Sequence, residues 1–361
     1  MSTATSNPTR SSTKGHSSVV HIEDDWYIIC RSGYLTGKPR SIELMGTPLV
    51  IFRAKNGQAG ALLDRCPHRN APLSLGTVRG DVLQCAYHGW RFDVSGTCRY
   101  VAGAGSDHIM KACHATAYPV REQQGFVWVF GTPRVEPDRE PFLFPFVSEP
   151  GYTTVCRELQ VEASLHAVAE NALDVPHTAY LHGGLFRSTN KQTREIEVVI
   201  SRYGDRVEAE YVGESAPTGL AGRILAPRGG PVSHVDRFIL PSITQVEYKI
   251  GSETHLCVTV ALTPVYDFIT KLFAAVSFRL PIPGWMVVPV LRPLFLRIFE
   301  QDAEILKRQT ETIKRFGGEQ FASTSADILG PHIYRLLKMA ERGERSRSEK
   351  NPQIFKTQLL V

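Results

Sequence analysis

Cys66 and His68, then Cys85 and His88, form two mixed cysteine–histidine pairs with sixteen residues between His68 and Cys85. Each pair opens a turn-like stretch that follows an apolar run. The first reads Cys66-Pro67-His68-Arg69-Asn70-Ala71-Pro72 and the second Cys85-Ala86-Tyr87-His88-Gly89-Trp90. Two such loops can clasp a metal centre from opposite sides, which constrains the first third of the chain to a small, loop-bearing scaffold.

A structural zinc ion is the plain alternative, but zinc fingers pair Cys with Cys and His with His. Mixed pairs suit a [2Fe–2S] cluster in which two thiolates hold one iron and two imidazoles the other, raising the reduction potential above that of an all-cysteine cluster. Further motifs accompany them: Leu63-Asp64-Arg65 before Cys66, Pro72-Leu73-Ser74 after it, Arg91-Phe92 after Trp90, and Gly125-Phe126-Val127-Trp128-Val129. On these residues the chain resembles the Rieske non-haem iron oxygenase family, of the alpha-subunit type that serves alone as terminal oxygenase. Respiratory Rieske proteins carry an extra disulfide-forming cysteine beside each pair. None occurs at Arg69 to Leu73 or Ala86 to Tyr87.

An oxygenase requires a second iron. Glu170 to His182 offers His177 and His182 inside an apolar, helix-like segment. Two histidines and a carboxylate make the facial triad of non-haem Fe(II) oxygenases. Positions five apart on an ideal helix diverge by about 140°, so the segment must be distorted. Pro176 and the Gly183-Gly184 pair allow that, while Asp174 and His177 share a face. For the carboxylate, a helical wheel over Ile298 to Phe316 puts Asp302 at the centre of an apolar face made by Ile298, Ile305, Leu306, Ile313 and Phe316, with Glu300, Glu304 and Glu311 opposite. A carboxylate on a buried face is costly unless paired, protonated or metal-bound. A buried salt bridge or a cap contact would also explain it. Gln309 shares that face and is a candidate supporting residue. The resemblance implies that Asp174 links the two metal centres across a subunit boundary, in a head-to-tail homotrimer; by itself Asp174 could simply orient His177.

The chain of 361 residues exceeds the usual single core, and 42% hydrophobic content is ordinary for a globular protein. The net charge of +5 comes mostly from residues 1–18 and 341–361, leaving the body near neutral, without the basic stripe that nucleic-acid binding needs. Residues 1–20, rich in Ser and Thr, read as a disordered tail without the apolar core of a signal peptide, and 341–361 as a charged tail. Cys30, Cys98, Cys113, Cys156 and Cys257 are irregularly spaced, as reduced cysteines of a cytoplasmic protein would be.

Short β-like runs at Trp26 to Cys30, Leu49 to Phe52, Ala61 to Leu63 and Gly125 to Phe130 predict an all-β cluster domain over 21–135. Beyond residue 150 the pattern becomes a helix near 161 to 181, five alternating strands between Glu195 and Leu262, and a long helix from Leu294 to Phe316. The fold class is α+β: an N-terminal all-β Rieske domain and, at 150–340, the helix-grip domain implied by the resemblance, an antiparallel sheet around a long C-terminal helix.

Residues 264–298 are unusually apolar. Lys271, Arg279, Arg292 and several prolines break them below the roughly 18 residues of a membrane span. Core packing or a dimer-like subunit contact is one reading; a greasy lid over a substrate entrance, resting on a membrane surface through Trp285 and the basic residues, is the other.

The resemblance implies electrons from an NAD(P)H-dependent reductase, with or without a ferredoxin, since no Gly-rich dinucleotide fingerprint is apparent. It also implies a mononuclear Fe(II) beside the cluster and a hydrophobic small-molecule substrate. Ring dihydroxylation, O-demethylation and aliphatic hydroxylation all suit this architecture. Similarity to ketosteroid hydroxylases and sterol 4-demethylating oxygenases makes oxidation of a sterol 4-methyl group the leading expectation, with an aromatic hydroxylating or O-demethylating oxygenase as the alternative. A Rieske electron-transfer protein would need only the first four ligands.

Overall fold

The computed structural model describes residues 16–103, 110–183, 194–215, 229–344 and 351–360. The chain divides into two units, one comprising 21–143 and the other 13–20 with 144–361. Residues 1–15, most of the expected N-terminal tail, lie outside the described residues, as does Gly184. The end of that tail is docked within the second unit. Ser17 Oγ and the Ser18 backbone N–H donate to Glu319, at 2.7 and 2.8 Å, and Lys338 Nζ donates to the Val19 carbonyl.

The first unit is all β, with three small antiparallel sheets. Strand Thr47–Arg53 shows why its apolar run is unbroken, because successive side chains enter opposite cores. Leu49 and Ile51 pack with Tyr27, Leu44 and Val129, whereas Val50 and Phe52 pack with Leu62, Leu73, Leu83 and Phe92. The second core also contains Cys66 and Cys85, so the ligand loops are anchored from beneath.

The second unit is built on one eight-stranded antiparallel sheet, ordered Thr153–Val161, Ile269–Arg279, Thr254–Tyr266, Ile243–Ile250, Val232–Ile239, Arg206–Val212, Glu195–Arg202 and Gln353–Leu360. Four helices accompany it among the described residues: α1 (Leu165–Ala172), α2 (His177–Leu181), α3 (Gly284–Phe316) and α4 (Gly330–Glu341). The helix-grip expectation holds, as α3 packs Val287, Leu291 and Leu294 on Ile250, Leu256, Val276 and Phe278 of the sheet. It ends at Gly317, whose φ of 76° is the left-handed cap glycine accepts without strain.

Three expectations change. Residues 264–298 are divided between elements: Ile269–Arg279 is a mostly buried interior strand, and α3 begins at Gly284, ten residues earlier than periodicity suggested. Pro289 and Pro293 lie within that helix. Its first turns do expose Trp285, at 76%. The charged tail over 341–361 contributes the sheet's last strand, where backbone pairing with Glu195–Arg202 outweighs the local charge. Finally, the helix read across 161 to 181 is two helices, broken where Leu173 leaves helical geometry and Pro176 restarts it.

Candidate functional site

Each cysteine–histidine pair sits on a tight turn closed in the same way. Asn70 N–H donates to the Cys66 carbonyl (2.9 Å) and Gly89 N–H to the Cys85 carbonyl (3.1 Å). Both closing residues adopt positive φ, 62° and 68°, conformations suited to Asn and Gly. Cys66 and Cys85 are buried. Burial is the largest influence on the Cys66 thiol, which is pushed up to about 11; the neighbouring Cys85 also raises it, while backbone N–H groups of His68 and Arg69 act in the opposite sense. The His68 and His88 rings lie 4.5 Å apart, and Trp90 stacks on His68 at 4.6 Å. His68 Nδ1 is buried with no hydrogen-bond partner. An orphaned ring nitrogen beside two close thiols is a donor set that fits two irons held by two thiolates and two imidazoles.

In the second unit, α2 and α3 bring His177, His182 and Asp302 together, with ligand atoms all within 4.8 Å of one another. His182 is the C-cap residue of α2, no longer helical, which relieves the angular conflict of a five-residue spacing. Its Nε2 lies 3.1 Å from Asp302 Oδ1, and that of His177 lies 3.5 Å away. The far nitrogens are held from behind: His177 Nδ1 by Asp174 Oδ2 at 3.2 Å and His182 Nδ1 by Gln301 Oε1 at 3.0 Å. Asp174 Oδ2 also accepts the His177 backbone N–H at 3.1 Å. Both imidazoles therefore present Nε2 to a common point.

Electrostatics agree. Burial works against a charged His177, but Asp174 and Asp302 outweigh it and raise the ring to about 9. Burial likewise opposes the Asp302 charge, and hydrogen bonds from His177 and His182 overcome it, holding the carboxyl below its ordinary range. Two imidazoles and a carboxylate that compete for a proton in this way are donors for a divalent cation, whose binding displaces that proton.

Asp302 lies at the centre of the buried face of α3, between Val287, Leu291 and Leu294 on one side and Leu306, Thr310 and Ile313 on the other, although not every residue expected on that face is buried. Leu306, Thr310 and Ile313 are buried, while Ile305 and Phe316 are exposed (47% and 78%). Gln309 is exposed as well, and the supporting glutamine is Gln301, for which the wheel held no signal. Asn171 Nδ2 also approaches Asp302, at 3.5 Å. A cavity of about 480 Å³ opens onto the three donors, lined by aliphatic side chains including Val168, Leu256, Val258 and Leu262.

A β domain with a cluster donor set, joined in one chain to a helix-grip domain with two histidines and an aspartate, defines a class of two-centre iron oxidoreductase. The comparisons with known proteins identify it. The Rieske [2Fe-2S] domain family matches residues 25–119, and the Vanillate O-demethylase oxygenase C-terminal domain matches residues 161–342. The chain belongs to the Rieske non-haem iron oxygenases, and its two donor sets fit that family's [2Fe–2S] cluster and mononuclear iron.

The oxygenase component of dicamba O-demethylase from Stenotrophomonas maltophilia is 29% identical over 213 residues, 58% of this chain and 62% of that protein. The oxygenase component of chloroacetanilide N-alkylformylase from Rhizorhabdus wittichii is 30% identical over 222 residues, 59% of this chain and 61% of that protein. The chain thus spans about three-fifths of the length of these two relatives. The structure of dicamba monooxygenase bound to 3,6-dichlorosalicylic acid superposes with a TM-score of 0.76 at 26% identity, covering 90% of this chain and 99% of that one. None of the seven cysteines is joined in a disulfide. Among the described residues, no helix is long and apolar enough to cross a membrane.

Proposed function

We infer that this chain is a terminal oxygenase component that receives electrons from an NAD(P)H-dependent reductase, directly or through a ferredoxin, and oxidises a methyl carbon of a bulky apolar substrate. The observation that carries this reading is the convergence of His177, His182 and Asp302 on the mouth of an apolar cavity. Cys66, Cys85, His68 and His88 hold the cluster, and His177, His182 and Asp302 hold the mononuclear iron. When bound, the cluster supplies electrons singly and the iron activates oxygen. Asp174 and Gln301 fix the tautomer and direction of the two imidazoles. The aliphatic wall seats the substrate and keeps bulk water from the reacting carbon.

The substrate favoured is a sterol, at its 4-methyl group. Support comes from the cavity's aliphatic lining and from the relative named 4beta-methylsterol monooxygenase in Methylococcus capsulatus, 34% identical over 176 residues. The second reading, O-demethylation of an aromatic ether, is favoured by the vanillate-type C-terminal domain. The family likeness favours a homotrimer in which Asp174 links the iron site of one subunit to the cluster of its neighbour. Exposed Ile282, Trp285 and Met286 at the start of α3, near Arg292 and Arg297, suit a peripheral contact with a lipid surface.

Aerobic turnover of iron-loaded protein with a surrogate reductase and NADH tests the assignment, offering 4,4-dimethyl sterols and methoxyarenes and reading products by mass spectrometry. A 4-hydroxymethyl or 4-carboxyl sterol is expected; demethylation of the arene alone would establish the second reading. Asp302→Ala should abolish product while retaining the cluster's visible spectrum, and product from that variant would remove Asp302 from the iron site.

A further inference from the structure

Between Asp267 and Glu300 the chain holds no acidic residue, and α3 begins inside that stretch. At about 100° per residue, Val287, Leu291, Leu294 and Ile298 share the side of the helix that packs on the sheet. The opposite side carries Trp285, Met286, Pro289, Val290, Pro293 and Leu296, all exposed. Arg292 and Arg297 lie toward its two margins, also exposed and, among the described residues, in no ion pair.

A helix on a protein surface ordinarily turns charged and polar groups outward. Here the outward side is apolar, a contiguous patch of the kind that marks a contact surface. Its borders indicate which contact. An indole sits well at the level of lipid headgroups, and a guanidinium reaches phosphate while its stem stays on apolar surface. At 1.5 Å per residue, residues 284–298 extend about 22 Å, short of the roughly 30 Å of a bilayer core, so this half of the helix can lie along a membrane without crossing it. Cations without acids attract a negatively charged leaflet. The same charges would repel a second copy brought face to face on this surface.

We propose that residues 282–298 form an interfacial foot that seats the catalytic domain on an anionic membrane surface. The buried side of the same helix reaches the cavity, which Phe295, Ile298 and Phe299 line beside Asp302. Phe295 follows Trp285 by about 15 Å along the helix axis. The foot thus holds the cavity close to the phase in which a bulky apolar substrate dissolves. This rests on the reading above of such a substrate and gives the lipid contact named there its charge and its use.

Tryptophan fluorescence of the holoenzyme tests it, because Trp285 is the exposed one of four: Trp26 and Trp128 are buried and Trp90 stacks on His68. Vesicles of phosphatidylcholine with phosphatidylserine should shift the emission to the blue and brominated acyl chains should quench it, both effects vanishing in Trp285→Phe. In flotation at low salt, these vesicles should bind at least about tenfold more tightly than phosphatidylcholine alone. Arg292→Gln combined with Arg297→Gln should abolish that difference. No flotation with either vesicle, equal binding to both, or flotation that leaves Trp285 unquenched would overturn the proposal, and these comparisons need only the unmodified protein. Self-association lost in Trp285→Ser, with no vesicle binding by the unmodified protein, would overturn it in favour of a second copy on this face. Vesicle binding without oxidation of any sterol would leave the foot standing and remove the sterol reading. Sterol oxidation by a protein that ignores vesicles would do the reverse.

Discussion

Gln301 Oε1 accepts from His182 Nδ1 and so turns its Nε2 toward the common point of the candidate iron site, as Asp174 does for His177. Replacing Gln301 by Leu should therefore lower iron affinity by about 10- to 100-fold in competition with a chelator, with the cluster absorbance unchanged. An unaltered iron affinity would mean that packing alone orients the ring. The ligands were legible as residues, because two histidines in an apolar segment and an acid on an apolar helical face each break a pattern. Gln301 breaks none. His234 and Asp236, which line the same cavity, did leave a signal, since they alternate with intervening residues on the buried face of strand Val232–Ile239 together with Phe238.

At the scale of elements, α3 both supplies Asp302 and anchors itself to the sheet, through Val287, Leu291 and Leu294. Truncating the buried Leu291 to Ala should destabilise the domain by about 2–5 kcal/mol, the usual cost of removing a core leucine, measured by urea denaturation followed in the far ultraviolet. A loss below ~1 kcal/mol would show that this half of the helix is not packed as described. The strands with one polar face were readable because alternation survives there. Ile269–Arg279 was not: it is an interior strand of the sheet with nearly every side chain buried, so its sequence carries no period. Pro289 and Pro293 disguised the start of α3, because local propensity argues against a helix that tertiary packing nonetheless holds.

For the whole molecule, a charged trio in the cavity wall ties stability to pH. The buried His234 ring lies between Glu214 Oε2 and Asp236 Oδ1, at 2.6 and 2.9 Å. Burial opposes its charge, but Asp236 and Glu214 outweigh it, so His234 stands at about 9 in the folded protein against an ordinary 6.5. A raised value contributes stability that is complete below the unfolded value and lost as pH rises through the folded one. Unfolding of the catalytic domain should therefore become easier between pH 7 and 9.5, with at most ~3 kcal/mol from this group. His234→Gln should flatten that dependence in urea titrations across the range; identical slopes in both proteins would exclude His234 as the source.

Sequence alone determined the family and singled out the candidate cluster ligands Cys66, His68, Cys85 and His88 and the candidate iron ligands His177, His182 and Asp302, because metal chemistry demands particular residue types at short spacings and leaves them conspicuous. Tertiary structure decided what depends on elements distant in the chain. It brought Gln301 to His182 across 119 residues, joined Gln353–Leu360 to the sheet, and set Glu214, His234 and Asp236 into the wall of the cavity shared with the iron ligands. Contacts between remote segments follow from packing and strand pairing, which no local spacing encodes.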